Sequence, residues 1–312
     1  MRWMRQAGQA WGPGPWRMAL ASSSRWQPKE PSRARQRHRS VLALARVSRA
    51  FEFPRTILHV AKSASGPIIV SEDDEGRRYL QFGWIGAFQS AMWPGFPLRL
   101  ELDYTRAVVA TLAFVPEPSR LLVVGLGGGT IPTFLRAVLP HAHIDAVEIQ
   151  PQVLDMARRY FDFREDEALH AHLADGRRFI ESPGAPYDVI ILDAYGTRSI
   201  PPALATQEFL RATQARLTPD GVVVGNVLRK SGRPGSLMDP LWQASFPQLY
   251  AFDVQASDNR ILVGLPHARR LLRARLLARA GQLARKWGVP FNLRARVARR
   301  VSGSRGPANS HG

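Results

Sequence analysis

Arg120-Leu121-Leu122-Val123-Val124-Gly125-Leu126-Gly127-Gly128-Gly129-Thr130 is the stretch that decides the fold. Four aliphatic residues in a row, with no polar alternation, read as a strand buried on both faces, the kind that parallel sheets contain. The glycines follow at once, and a helical stretch then runs to about Leu139. Glycine after a strand permits positive φ and lets the backbone approach a ligand, while the next helix presents N–H groups without intrahelical partners. Glycines at such turns also serve as packing devices, so the loop alone leaves ligand binding open.

Toward the C-terminus the alternation repeats. Ile144 to Val147 is a second strand ending in Glu148, and Pro151 occupies the first turn of a helix over Gln152 to Phe161. His170 to Leu173 is a third strand, followed by Asp175-Gly176; Val189 to Leu192 is a fourth, ending in Asp193. Ala203 to Leu217 reads as a helix and Gly221 to Val227 as a fifth strand. Tyr250 to Val254 and Ile261 to Leu265 complete the sheet as an antiparallel pair. The pattern predicts an α/β fold with a Rossmann-like, seven-stranded sheet. Toward the N-terminus, Pro67 to Val70 and Arg78 to Phe82 flank the acidic turn Asp73-Asp74-Glu75-Gly76 as a hairpin, and Leu102 to Phe114 reads as a helix. The expected organisation is a basic extension over 1–50, a small β-rich subdomain with its connecting helix over 51–115, the nucleoside-binding domain over 116–266, and a basic, partly helical tail over 267–312.

Charge supports this partition. The 312 residues carry a net +18, but residues 1–50 hold 11 basic groups and one acid, and residues 267–312 hold 12 basic groups and none. Residues 51–266 hold 20 basic and 24 acidic groups, a net of −4. The basicity thus belongs to two flanks around a mildly acidic body, which argues against a nucleic-acid-binding fold. The N-terminal flank is read as a flexible extension or as an organellar leader, with Gly12-Pro13-Gly14-Pro15 interrupting any amphipathic helix. The C-terminal flank is read as a helix from Pro266 to about Trp287 in a solvated basic tail, contact with polyanions remaining open. No apolar run approaches the roughly 20 residues of a bilayer-spanning helix. With no cysteine, the chain can form no disulfide, thiolate metal site or cysteine nucleophile, and a cytoplasmic location is expected, organellar targeting staying open.

Glu148 lies 23 residues after Gly125, where an acid can accept both ribose hydroxyls of a nucleoside. Asp175 ends the third strand, where a carboxylate could receive an adenine amino group. Glycines, Glu148, Asp175 and Asp193 all converge at the carboxyl ends of the strands, where open α/β sheets bind ligands. Each acid singly could be a helix N-cap. His141 and His143, or His170 and His172, lack a nearby third ligand, so no metal is expected. Glu165-Asp166-Glu167 reads as a solvated loop.

On these residues the chain resembles the spermidine synthases, the aminopropyltransferase branch of the class I S-adenosylmethionine-dependent methyltransferase fold. The resemblance covers about residues 60–265 and includes Gly86-Ala87-Phe88-Gln89, Tyr104, the glycine loop, Val147-Glu148-Ile149, Ala174-Asp175-Gly176 and Tyr187 to Asp193. It implies that Gln89, Gly125, Gly127, Gly129, Glu148, Asp175 and Gly176 hold the nucleoside, and that Tyr104 contacts the substrate. It places Asp193 where the family has its proton acceptor. It implies S-adenosylmethionine or its decarboxylated form as group donor, a small amine or other nucleophile as acceptor, and leaves a homodimer open. Three positions depart from the family: Gly128 stands where the glycine loop usually has an acid, Gly196 where a second acid follows the proton acceptor, and Thr105 where a histidine follows the tyrosine. Two missing carboxylates remove much of the charge complementarity for a diamine, and aspartates restored at 128 and 196 are expected to raise putrescine turnover if the pocket is otherwise preserved. Aminopropyl transfer in polyamine biosynthesis, methyl transfer to another acceptor, and non-catalytic nucleoside binding all follow from this pattern.

Overall fold

A computed structural model describes residues 55–64, 66–85, 87–115, 117–195, 200–229, 235–255, 257–298 and the backbone of 300–301. The chain divides into two compact units, Met1–Glu52 and Phe53–Gly312, and every described residue belongs to the second. The expected extension over 1–50 lies outside the described residues.

The β-rich part is a four-stranded antiparallel sheet in the order β1 (Arg55–Ser63), β2 (Gly66–Asp73), β3 (Arg78–Phe82), β4 (Phe88–Met92). Its acidic turn closes on Asp73, whose carboxylate accepts from the N–H groups of Glu75 and Arg77, the Arg77 guanidinium and the Tyr79 hydroxyl. Helix α1 follows (Asp103–Ala110) and tightens into a buried 3₁₀ turn over Thr111–Phe114, where the sequence suggested one continuous helix.

The central sheet contains β5 (Arg120–Val124), β6 (His143–Glu148), β7 (Leu169–Leu173), β8 (Tyr187–Leu192), β9 (Leu217–Leu228), β10 (Gln248–Asp253) and β11 (Asn259–Leu265). A two-residue β12 (Arg300–Val301) extends its edge, giving the order β12-β10-β11-β9-β8-β5-β6-β7. Strands β5 to β9 pair in parallel; β10, β11 and β12 are antiparallel. Helices α2 (Thr130–Val138), α3 (Pro151–Tyr160), α4 (Gly176–Glu181), α5 (Gln207–Ala215) and α6 (Asp239–Ser245) complete the layers. Ile68, Val70, Leu80 and Met92 of the small sheet bury against Val153, Met156 and Phe161 at α3, which fixes that sheet beside the glycine loop. The chain leaves β5 toward β6 and β7, then crosses to β8 on the other side of β5. That reversal opens the crevice in which α/β folds bind ligands.

Two expectations need correction. Ala203 to Leu217 is not one helix: a 3₁₀ turn covers Pro202–Leu204, and α5 starts afresh behind Thr206, whose hydroxyl caps it by accepting from the Phe209 N–H at 3.2 Å. Strand β9 then begins at Leu217, before the expected Gly221. Residues 267–298 are likewise not a solvated tail. Helices α7 (Arg273–Trp287) and α8 (Leu293–Ala298) bury Leu276, Ala280, Trp287, Leu293 and Val297 in the same core as Phe114, Phe134, Ile261 and Val263. The Trp287 ring meets Phe134 edge-on at 5.8 Å. Arg296 pairs with Asp103 at the start of α1, and Arg269 with Asp220. Flanking arginines diluted an apolar face whose partner surface is remote in sequence.

Trp287→Ala should therefore destabilise the protein by about 3–5 kcal/mol, the cost of a large aromatic deleted from a core. Urea denaturation measures it, and a loss under about 1 kcal/mol would return α7 to the status of an appendage. The same burial means that a chain ending at residue 266 should not form an intact body.

Candidate functional site

Parallel register brings the strand ends together. Val124 lies opposite Val147 on β6 and Leu192 on β8, and Glu148 opposite Leu173 on β7. The N–H of Gly125 donates to the Val147 carbonyl at 2.9 Å, and the N–H of Asp193 to the Val124 carbonyl at 2.8 Å. The glycine loop and the fourth-strand acid are thus neighbours across the point where the sheet reverses.

Gly125 is dictated by that approach. Its φ is 97°, and a Cβ there would lie 2.4 Å from the Asp193 carbonyl oxygen, which is backbone and cannot give way. Gly127 and Gly129 also have positive φ, the latter ending the loop as the residue before α2. Gly128 has ordinary φ, so only space restricts it. A Cβ there would stand 2.7 Å from Phe161 and 2.9 Å from the Ser90 Cβ, and its N–H donates to the Ser90 hydroxyl at 2.8 Å. The position lacking the family's acid is filled by an aromatic ring and a serine. An aspartate at 128 would therefore have to displace the Phe161 ring before it could serve as an amine anchor. Gly196 lies outside the described residues. Thr105 is buried and donates to the Leu102 carbonyl at 2.7 Å, so it faces its own helix backbone.

Glu148 is buried at the end of β6. Its Oε1 accepts from the N–H groups of Ile149 and Gln150, both at 2.9 Å, and its Oε2 from Leu126 at 3.1 Å. Burial raises its pKa, and these backbone donors oppose the rise. With Oε1 saturated, the room left is on Oε2, so two ribose hydroxyls would have to displace a loop N–H. Asp175 uses Oδ1 to cap α4, accepting from the Arg178 N–H at 3.0 Å. Gly176 lets α4 begin close to β5, because a Cβ there would lie 2.6 Å from Val124 Cγ1. The Gln89 side chain bonds back to the Ala87 carbonyl at 3.4 Å, while its main-chain carbonyl accepts from the Tyr104 hydroxyl at 3.1 Å.

Asp193 sits at the centre of a polar network. Its Oδ1 accepts from the Asn226 amide at 2.8 Å and its Oδ2 lies 3.3 Å from the Tyr104 hydroxyl. Asn226 in turn accepts from Asn259 at 2.8 Å through its side-chain oxygen, and its carbonyl accepts from Tyr195 at 2.8 Å. Burial pushes the Asp193 carboxyl up to about 7, against the two hydrogen bonds that favour its charge. A carboxyl balanced near neutrality can take a proton and release it again. The Tyr104 hydroxyl is held well above its ordinary pKa by burial and by Asp193, so it acts as a donor. Asn226, Asn259, Tyr195 and Ser90 were missed from the sequence. One signal was present: Asn226 is the sole polar side chain within Val222 to Val227. Among the described residues no group of three or more acids and histidines could hold a metal; His172 instead pairs with Asp145 at 2.7 Å. Glu165 and Asp166 pair with Arg158 and Arg136.

A mixed sheet with a glycine loop after its first parallel strand and acids at the next three strand ends defines the Rossmann-like methyltransferase fold. Part of the chain is similar to the spermidine synthases of that fold. Residues 102–227 match the spermine/spermidine synthase domain. Over 174 residues it is 37% identical to a polyamine aminopropyltransferase of Vibrio vulnificus, covering 54% of this chain and 57% of that protein. Over 180 residues it is 37% identical to the human eEF1A lysine and N-terminal methyltransferase, covering 51% of this chain and 26% of that protein. Among solved structures, human methyltransferase-like protein 13 in complex with SAH superimposes with a TM-score of 0.55 at 33% identity, covering 61% of this chain and 95% of that one. The matched segment thus spans little more than half of the Vibrio relative and about a quarter of the human one.

The raised pKa of Asp193 fixes the sign of a pH effect. Unfolded, the group has the ordinary carboxyl pKa of 3.8; folded, it keeps its proton to about 7. Its contribution to stability is full below the unfolded value and is lost as pH rises through the folded one. Asp193→Asn cannot ionise, so the variant should gain on the parent between about pH 4 and 7 and hold a lead of order 2–4 kcal/mol above that. Denaturation at pH 4, 6 and 8 reads the difference; a constant gap would show that Asp193 is not perturbed.

Proposed function

We propose that this chain transfers the methyl group of S-adenosylmethionine to a nucleophilic acceptor, foremost an amine, with Asp193 as proton acceptor. The observation that carries the proposal is the packing at Gly128. Phe161 and Ser90 occupy the space of a loop carboxylate, so nothing there repels the carboxylate of S-adenosylmethionine or anchors the ammonium of its decarboxylated form. The donor supplies an electrophilic methyl carbon on a sulfonium. The chain's residues do the rest: Glu148 and the loop receive the ribose, Asp175 the adenine amino group, and Gln89 helps hold the nucleoside. An acceptor nitrogen attacks only as a free amine, so Asp193 takes its proton, and Asn226 and Tyr104 stabilise the charged base. The new N–C bond forms as the S–C bond breaks, its electron pair returning to sulfur.

Aminopropyl transfer from decarboxylated S-adenosylmethionine, and with it a place in polyamine biosynthesis, is the second reading. The likeness to the Vibrio enzyme supports it.

Calorimetric titration separates the two. S-adenosylmethionine should bind more tightly than its decarboxylated form, and a preference for the decarboxylated form by tenfold or more would overturn methyl transfer. Glu148→Gln should weaken both by roughly tenfold, since a charge-assisted hydrogen bond contributes about 1.5–3 kcal/mol. Unchanged affinity with an intact fold would remove Glu148 from the site.

A further inference from the structure

The folding of residues 267–298 into the domain changes what their charge means. These residues contain no acid, and the apolar side of α7, carrying Leu276, Ala280 and Trp287, is buried in the core. At 100° per residue, Arg275, Arg279 and Lys286 fall within about 40° of one another, roughly 100° round the helix from that buried side. Arg275 and Lys286 are exposed and Arg279 partly so, and together they span about 16 Å at the helical rise. Exposed Arg270, Arg285 and Arg294 lie nearby in the same segment. None of these six has an ion-pair partner among the described residues.

Many arginines elsewhere are paired with acids. Arg77 meets Asp73, Arg136 meets Asp166, Arg158 meets Glu165 and Arg177 meets Glu181. Arg269 and Arg296 show that this segment reaches acids elsewhere where the fold supplies them. Arg275 and Arg279 stand at i and i+4, where like charges repel and weaken a helix. A row of cations on a rigid support, unfavourable to folding and left uncompensated, matches a polyanion with regularly spaced charge.

We propose that the exposed face of α7 binds the phosphate backbone of a nucleic acid without reading its sequence. A bilayer is the poorer match, because membrane-surface helices insert an apolar face and that of α7 is already used in the core. Arginine forks suit phosphate oxygens bidentately, and each phosphate neutralised releases counterions and makes affinity fall with salt.

The full chain would be titrated by fluorescence anisotropy into a labelled 20-base-pair DNA duplex and the matching RNA duplex, at 50 and 200 mM salt. Anionic phosphatidylserine vesicles form a separate arm. Binding to either duplex that weakens steeply with salt is expected. The variant with Arg275→Gln, Arg279→Gln and Lys286→Gln should lose at least about tenfold in affinity, with a salt slope shallower by about 2–3. Glutamine keeps helix propensity and removes the repulsion, so the variant should melt no lower than the parent. The DNA and RNA arms tell which backbone is preferred. The proposal is overturned if the full chain binds neither duplex at 50 mM salt, if the triple variant binds as the parent does, or if only vesicles are bound.

Discussion

The contact on which the site depends is backbone against backbone. Gly125 and Asp193 meet where β5 and β8 diverge, so closely that a single added carbon at residue 125 would lie 2.4 Å from the Asp193 carbonyl oxygen. Main-chain atoms cannot rotate out of the way as side chains do, so the glycine is a geometric requirement. Because the two strands are locked by register, the carboxyl of Asp193 is carried to the mouth of the same crevice that the loop forms. Glycine loop and fourth-strand acid are thereby set by one junction.

Around that junction the network does two things together. Asn226 and Tyr104 fix the carboxyl group from opposite oxygens, and surrounding protein withdraws enough water to bring its pKa to about 7. The fold bears a cost for this at neutral pH, as sites tuned for proton transfer commonly do. Asn226 is itself held through its own oxygen by Asn259 on the antiparallel strand β11. The antiparallel end of the sheet thus reaches the Asp193 carboxyl through one amide, although it lies two strands away.

Much of this was legible in the sequence because it was local. The run Leu121 to Val124, the glycines and the strand-ending acids signal through spacing alone, and β5 to β8 lie close to where the pattern puts them. What was illegible depended on neighbours remote along the chain. Nothing in Phe161 announces that it fills the space beside Gly128, and the missing loop acid looked like a loss when it is an occupied volume. The ribose-binding capacity assigned to Glu148 overlooked the adjacent N–H groups that already use Oε1. The apolar face of α7 was masked by its own arginines, and its partners Phe114 and Phe134 lie far upstream. Strand β1, half exposed along its length, carried too weak an alternation to be seen.

The ion pair between Arg296 and Asp103 spans 193 residues of sequence and secures the start of the helix that carries Tyr104. At ordinary rates of synthesis, roughly 5–20 residues per second, α1 leaves the ribosome about 10–40 s before α8 does. During that interval the tyrosine helix lacks its clamp, and the core residues that Trp287 and Leu293 will cover face solvent. The network around Asp193 is therefore completed late, after the glycine loop and its strands exist. Until then the apolar surface that Trp287 and Leu293 cover has no partner within the chain.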